Sequence, residues 1–302
     1  MTSRAWYSDH FEVPLPEGHR FPMEKYRRLR ELLLARGILA PSELTPAEEV
    51  PRERLALVHD AAYLDALFSG CLTEPEVRRM GFPWSPALLA RSRASVGGTV
   101  AAGWAALEHG WAGNLAGGTH HAFADHGEGY CVFNDIAVAI RTLQGERRIQ
   151  RAVVVDLDVH QGNGTAAIFG GDDSVFTFSM HGEKNFPFRK QRSDRDVELP
   201  DGTTDAQYLE ALDAHLHVVM EASGADILFY QGGVDGLAED ALGRLSLTHA
   251  GLRARDEAVF RAAWHRGIPV VLTLGGGYAR PIEATLEAYA GTWLEAKRVL
   301  GA

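Results

Sequence analysis

Asp156, Asp158 and His160 alternate at the end of an apolar run, Ala152-Val153-Val154-Val155. Small, mostly β-branched residues in an unbroken run read as a buried strand. Side chains alternate along an extended chain, so the three polar groups are expected on one face. Two carboxylates and an imidazole beside an apolar strand are costly to bury without compensation. A divalent cation is the simplest compensation, because carboxylate oxygen and imidazole nitrogen both ligate zinc-like metals. The alternative for this stretch by itself is an acidic, solvated loop. Asp235, in Gly232-Gly233-Val234-Asp235-Gly236, is a candidate third ligand beside Asp158 and His160. Three protein ligands and an open position describe a catalytic rather than a structural zinc site. The competing reading of Asp235 is a turn or helix-capping aspartate.

Two further clusters suit hydrolytic chemistry. Gly117-Gly118-Thr119-His120-His121 sets two imidazoles side by side, and imidazole titrates where acid–base catalysis needs it. With 13 histidines in the chain, adjacency alone is weak evidence. Gly275-Gly276-Gly277-Tyr278 allows a tight backbone path ending in a phenol, a group able to donate to a developing oxyanion. A simple strand-to-helix turn is the bland reading. The run lacks the spacing of a phosphate-binding loop.

These residues need elements to position them. Strands are predicted at Ala152–Leu157, Ser174–Ser179, Asp226–Gln231 and Pro269–Leu274. Helices are predicted at about Asp135–Leu143, Asp205–Glu221, His249–Trp264 and Pro281–Leu300. Pro22 opens an earlier helix with Tyr26, Leu29, Leu32 and Leu33 on one face. Another spans Ser85 to Glu108, with Gly97-Gly98 inside it for close packing. Alternating strands and helices imply an α/β fold: a mainly parallel multi-stranded sheet with helices on both faces. No composition shift divides the chain, so residues 1–302 are expected to form a single domain. Asp158 and His160, Asp235, and Tyr278 each follow a different strand, and parallel sheets bind ligands beyond the carboxyl ends of their strands.

Composition narrows the function. The 302 residues are 46% hydrophobic and 23% charged, with a formal charge of −10, which argues against a general nucleic-acid or membrane-surface binder, since both need a basic face. Two cysteines, Cys71 and Cys131, imply no disulfide scaffold and fit a reducing, cytoplasmic setting. The opening residues Met1 to Trp6 hold no apolar run that reads as a signal peptide. Cys131 reads as a small buried residue rather than a nucleophile, and Trp84 as either a tunnel-mouth residue or a core anchor.

Taken in order, the motifs resemble the histone deacetylase superfamily, within the arginase–deacetylase fold. They run from Gly117-Gly118-Thr119-His120-His121-Ala122 through Gly129-Tyr130-Cys131-Val132-Phe133-Asn134-Asp135 and Asp156-Leu157-Asp158-Val159-His160-Gln161-Gly162-Asn163-Gly164. Ser179-Met180-His181, Gly233-Val234-Asp235 and Gly275-Gly276-Gly277-Tyr278 complete them. The resemblance covers roughly residues 110 to 280 and is closest to the class IV branch and its bacterial relatives.

The resemblance implies one Zn2+ on Asp158, His160 and Asp235. It implies His121 as general base and then acid, His120 as its electrostatic partner, and Tyr278 as the group that polarises the acyl carbonyl. Asp156 matches the aspartate that bonds His120. It also matches a ligand of a structural K+, with backbone oxygens of Asp158 and His160 and with Ser179 and Met180. Gly129, Tyr130 and Phe186 match walls of an acyl-lysine tunnel, with Leu242 and Gly276 as further substrate contacts. Asn163 departs from class I, which has an aspartate there. Arg20 or Lys25 matches a basic residue of the family's acetate-exit pocket. The implied activity is metal-assisted hydrolysis of an acyl-lysine in a protein or peptide. A small acyl-amine is the alternative. An acetylpolyamine hydrolase would need an acid at the tunnel mouth, for which Glu239 and Asp240 are the candidates. A non-catalytic acyl-lysine binding protein would not need the full catalytic set.

Overall fold

The computed structural model describes residues 4–301. Met1 to Ser3 of the opening segment, and Ala302, lie outside the described residues. In chain order the elements are β1 (Ala5–Tyr7), α1 (Lys25–Ala35), β2 (Leu44–Pro46), α2 (Arg52–Leu55), α3 (Ala61–Ser69), α4 (Glu74–Met80), α5 (Pro86–His109) and β3 (Trp111–Asn114). They continue with α6 (Asp135–Gly145), β4 (Ala152–Asp156), α7 (Asn163–Phe169), β5 (Val175–Gly182), β6 (Arg195–Leu199) and α8 (Asp205–Ser223). The last are β7 (Ile227–Gln231), α9 (His249–Trp264), β8 (Val270–Thr273) and α10 (Glu283–Leu300). No helix among the described residues is long and apolar enough to cross a membrane.

All eight strands join one parallel sheet, in the order β2-β1-β3-β8-β7-β4-β5-β6. Alternation along β4 shows how it is covered. Val153 and Val155 belong to the core covered by α1, α8, α9 and α10, whereas Ala152 and Val154 belong to the core that α5 and α6 cover on the other face. Burial on both faces explains the unbroken apolar run that the sequence shows there.

The order also explains where a site can form. From β4 the chain passes through α7 outward to β5, whereas from β7 it passes through α9 to β8 on the other side. Neighbouring strands whose connections leave in opposite directions open a crevice at their carboxyl ends. The loop carrying Asp158 and His160 follows β4, and the loop carrying Asp235 follows β7.

Two expectations need correction. The strand ends at Asp156, so residues 157–160 do not continue its alternation. Instead the Asp156 carboxylate accepts the Asp158 N–H (3.1 Å), and the Asp158 carboxylate accepts the His160 N–H (2.9 Å). These are successive aspartate turns. Four strands carried too little signal to predict. β1, β2 and β3 are three or four residues long, and β6 is a polar edge strand. In α5 the glycines do permit close approach: a Cβ on Gly97 would sit 1.9 Å from the Glu48 carbonyl oxygen.

Candidate active site

Asp158, His160 and Asp235 come together, all buried, with one potential ligand atom each within 4.8 Å of the others. His160 Nδ1 lies 3.0 Å from an oxygen of Asp158 and 3.0 Å from one of Asp235. The remaining oxygens are held by backbone: Asp235 Oδ1 accepts the Val159 N–H (2.9 Å), and Asp158 Oδ2 accepts the Gly276 N–H (2.6 Å). The glycines are needed here for space. A Cβ on Gly276 would fall 1.7 Å from Asp235 Oδ2, and one on Gly233 would fall 2.2 Å from Asp158 Oδ2. Burial, and then the neighbouring Asp158 charge, push the Asp235 carboxyl up to about 7. Burial opposes the His160 cation, but the two carboxylates outweigh it and raise His160 to about 10. The cluster therefore holds positive charge tightly. One nitrogen and carboxylate oxygens form a donor set that fits a divalent ion of the zinc or ferrous type.

The histidine pair sits beside this cluster. Asp156 ends β4 next to His120, whose Nδ1 donates to Asp156 Oδ2 at 2.7 Å. Burial disfavours a charged His120, but Asp156 and Asp158 more than offset it, and its pKa rises. His121 behaves oppositely: burial, then the positive His120 and His160, hold it well below the usual range. Its Nδ1–H donates to Asn163 Oδ1 at 2.6 Å, which leaves the lone pair on Nε2. The Asn163 amide NH2 faces Glu128, at 3.4 Å. The two Nε2 atoms of the pair lie 3.1 Å apart.

A cavity of about 660 Å³ opens over these residues. His120, His121, Asp158 and His160 line its inner end, with Tyr278, Gly129, Tyr130, Phe186, Leu242 and Gly276 on its walls. A Cβ on Gly129, at φ +55°, would lie 2.7 Å from the His121 ring and 3.0 Å from that of Phe186. Tyr130 also has positive φ, +66°, a conformation rare in aromatic residues. Its ring packs against Phe21, Phe82 and Tyr278. The Tyr278 phenol has no hydrogen-bond partner among the described residues, and burial, followed by the charges of Asp235 and Asp158, raises its pKa well above normal.

Other expectations resolve individually. Ser179 lies opposite Asp156 in the β4–β5 register and its hydroxyl meets His181 Nδ1 at 3.0 Å; Met180 is the next residue of β5. Cys131 is buried beside the cavity, and burial pushes its thiol up. Trp84 lies off the cavity, its indole N–H donating to the Leu67 carbonyl at 2.8 Å. Lys25 is buried, donates to the Gly275 carbonyl (3.1 Å) and faces the Tyr278 ring, whereas Arg20 is exposed at the cavity mouth. Neither proposed acidic gatekeeper lines the cavity. Asp240 turns inward and accepts the N–H groups of Leu242, Gly243 and Tyr278 at 2.6–2.9 Å.

The positioning roles of three residues were not read from the sequence, although Asp135 was part of a motif and Asp240 a gatekeeper candidate. Asp135 accepts hydrogen bonds from Gly118 N–H and from the Thr119 N–H and hydroxyl, pinning the loop that carries the histidines. Asp240 pins Tyr278 and Leu242 together. Arg255 of α9, fully buried, donates to the carbonyls of Leu157 (3.2 Å) and Gly233 (2.6 Å), one in each metal-site loop. Asp256 pairs with it and accepts from Tyr230 and Thr292. A signal existed: Arg255 and Asp256 interrupt the apolar stripe Leu252, Val259, Phe260, Ala263 of a helix.

Comparison with known proteins gives the family. The histone deacetylase domain model matches residues 19–293. An uncharacterized protein of Picosynechococcus is 47% identical, the match covering 91% of this chain and 92% of that one. Histone deacetylase 2 of Arabidopsis thaliana is 35% identical (91% and 74% covered), and a histone deacetylase-like amidohydrolase of Pseudomonas aeruginosa is 32% identical (89% and 74%). The crystal structure of a deacetylase homologue from Aquifex aeolicus superposes with a TM-score of 0.81 at 25% identity, covering all of this chain and 89% of that one. The chain belongs to the histone deacetylase family.

Proposed function

We propose that this protein is a zinc-dependent hydrolase that removes acyl groups from lysine side chains. One observation carries the reading. Three candidate metal ligands, an imidazole whose Nδ1–H is taken up by Asn163, and an unpartnered phenol meet around one cavity. A divalent ion held by Asp158, His160 and Asp235 would supply Lewis acidity and acidify a bound water.

The chain's own residues do the rest. His121 Nε2 takes the proton from the attacking water and returns it to the departing lysine nitrogen, so water and amide become an acid and an amine, which at neutral pH are carboxylate and ammonium. Its low pKa keeps it unprotonated and ready near neutral pH. Asn163 fixes the ring and its tautomer. Burial disfavours a charged His120, but Asp156 and Asp158 outweigh it and raise its pKa, so positive charge on His120 can offset the negative charge that develops. Tyr278 stays a phenol because its pKa is raised, and so donates to the carbonyl oxygen as it becomes an oxyanion. The slot between Gly129, Tyr130 and Phe186 holds the lysine stem, with Leu242 and Gly276 beside it. Asp156, Ser179, the Met180 carbonyl and the backbone oxygens of Asp158 and His160 offer the oxygen donors a structural K+ requires.

An acetyl-lysine peptide tests the reading. Carboxylate release is expected, abolished by a chelator, restored by zinc, and lowered about 10²–10³-fold by Tyr278→Phe. Peptide binding without carboxylate release from the metal-loaded protein would overturn it.

A further inference from the structure

The mouth of the cavity has a charge unlike that of the chain around it. The protein carries −10 overall, yet five basic residues line this one cavity and only two acids do. One of the acids, Asp158, belongs to the buried metal set. The other, Glu128, lies 3.4 Å from the Asn163 amide and 3.8 Å from His126. The five cations, Arg20, Arg78, Arg79, Lys184 and Arg244, are all exposed. They arrive on four separate segments: the approach to α1, the end of α4, the loop after β5 and the loop after β7. Four unconnected segments delivering the same sign of charge to one rim argue against a local accident of composition.

These cations are also poorly neutralised. Arg20 and Arg79 have no ion-pair partner among the described residues. Arg78 meets only Glu74, on an exposed helix turn. Lys184 and Arg244 share a single partner, Asp201, at 3.9 and 2.8 Å. A low-dielectric cleft ringed by charge of one sign that is only partly compensated focuses its field outward and attracts the opposite sign.

We propose that the substrate is an acyl-lysine flanked by acidic residues in a peptide segment, and that Arg20 and Arg79 select it. The inference rests on the lysine-deacylase reading and adds what surrounds the lysine. With the acylated side chain inside the cavity, the peptide backbone lies across the rim. Residues one to three positions away then fall within about 10 Å of the lysine, alongside the basic collar. The same collar repels an acylated polyamine, whose remaining ammonium groups would lie among these cations.

The test uses three acetyl-lysine peptides identical except for two flanking residues on each side, made acidic, neutral or basic. Both kcat/KM and binding by fluorescence anisotropy are measured on the zinc-loaded protein. At low salt the acidic peptide is expected to exceed the basic one about tenfold or more in both readouts, with the gap closing at high salt. In the double variant Arg20→Glu, Arg79→Glu the order of the acidic and basic peptides narrows or inverts. Turnover of all three peptides at equal kcat/KM, or a preference for the basic one, overturns the proposal and leaves the deacylase reading intact. Charge-ordered binding with no turnover of any peptide supports the collar and defeats the deacylase reading.

Discussion

His121 Nδ1 and Asn163 Oδ1 are 2.6 Å apart, so the proposed base is oriented by a neutral amide rather than a carboxylate. An amide fixes the ring without stabilising its cation. Asn163→Asp adds a charge that favours the imidazolium and raises the pKa of His121. Since the base works unprotonated, the acidic limb of the kcat/KM profile is expected to move up by about one unit, with roughly tenfold less activity at the foot of that limb. An unmoved limb means Asn163 does not set the basicity of His121.

Arg255 ties together the two loops that bring Asp158 and Asp235 into contact. Arg255→Lys keeps the charge and loses the two-carbonyl grip, because an ammonium cannot reproduce the planar fork. Disturbing a buried pair of this kind costs up to about 3–5 kcal/mol when one partner is lost outright, so the lysine variant is expected to lose part of that in denaturant unfolding. It is also expected to release its metal faster to a chelator. Stability loss with unchanged metal release would make Arg255 a core residue only.

Gly129→Ala probes the slot. The added methyl lies 2.7 Å from the His121 ring and 3.0 Å from Phe186, on a backbone with φ +55°. We expect a stability cost of at least about 1–2 kcal/mol from the left-handed backbone and a loss in kcat/KM for acetyl-lysine peptides. Wild-type kcat/KM would show that the substrate does not pass Gly129.

His59 makes the fold acid-sensitive. It is buried, its Nδ1–H donates to the Phe123 carbonyl and its Nε2 accepts the Asn134 N–H. Burial, only partly opposed by backbone hydrogen bonds, lowers it from 6.5 to about 4. Between those values the unfolded chain binds the proton and the folded chain does not. Its contribution, roughly 3 kcal/mol at most, is therefore complete above pH 6.5 and lost as the pH falls towards 4. Urea midpoints across this range should decline, and His59→Gln should flatten the decline.

Much of the site was legible in the sequence because its residues follow predictable strands. An apolar run ending in Asp156, Asp158 and His160 marks β4, and glycines mark the loops where carboxylates crowd the backbone. The legible part was chemical type and order along the chain. What was not legible depends on contacts between distant segments. Nothing local tells that Asp240 turns inward to hold Tyr278, or that Arg255 reaches two carbonyls, 98 and 22 residues away. The short strands β1 to β3 exist through pairing with neighbours, and three or four residues carry too little pattern to predict that. The basic collar likewise appears only once four segments are folded against each other.

The metal is the most direct test of the account. Protein purified without chelator is expected to contain one divalent ion per chain by elemental mass spectrometry. Asp235→Ala, with helix content unchanged by circular dichroism, is expected to lose that ion and the hydrolysis of acetyl-lysine peptides together. Metal-free wild-type protein that hydrolyses the peptide at the full rate, or an Asp235→Ala variant that keeps a full equivalent of metal, would contradict the account.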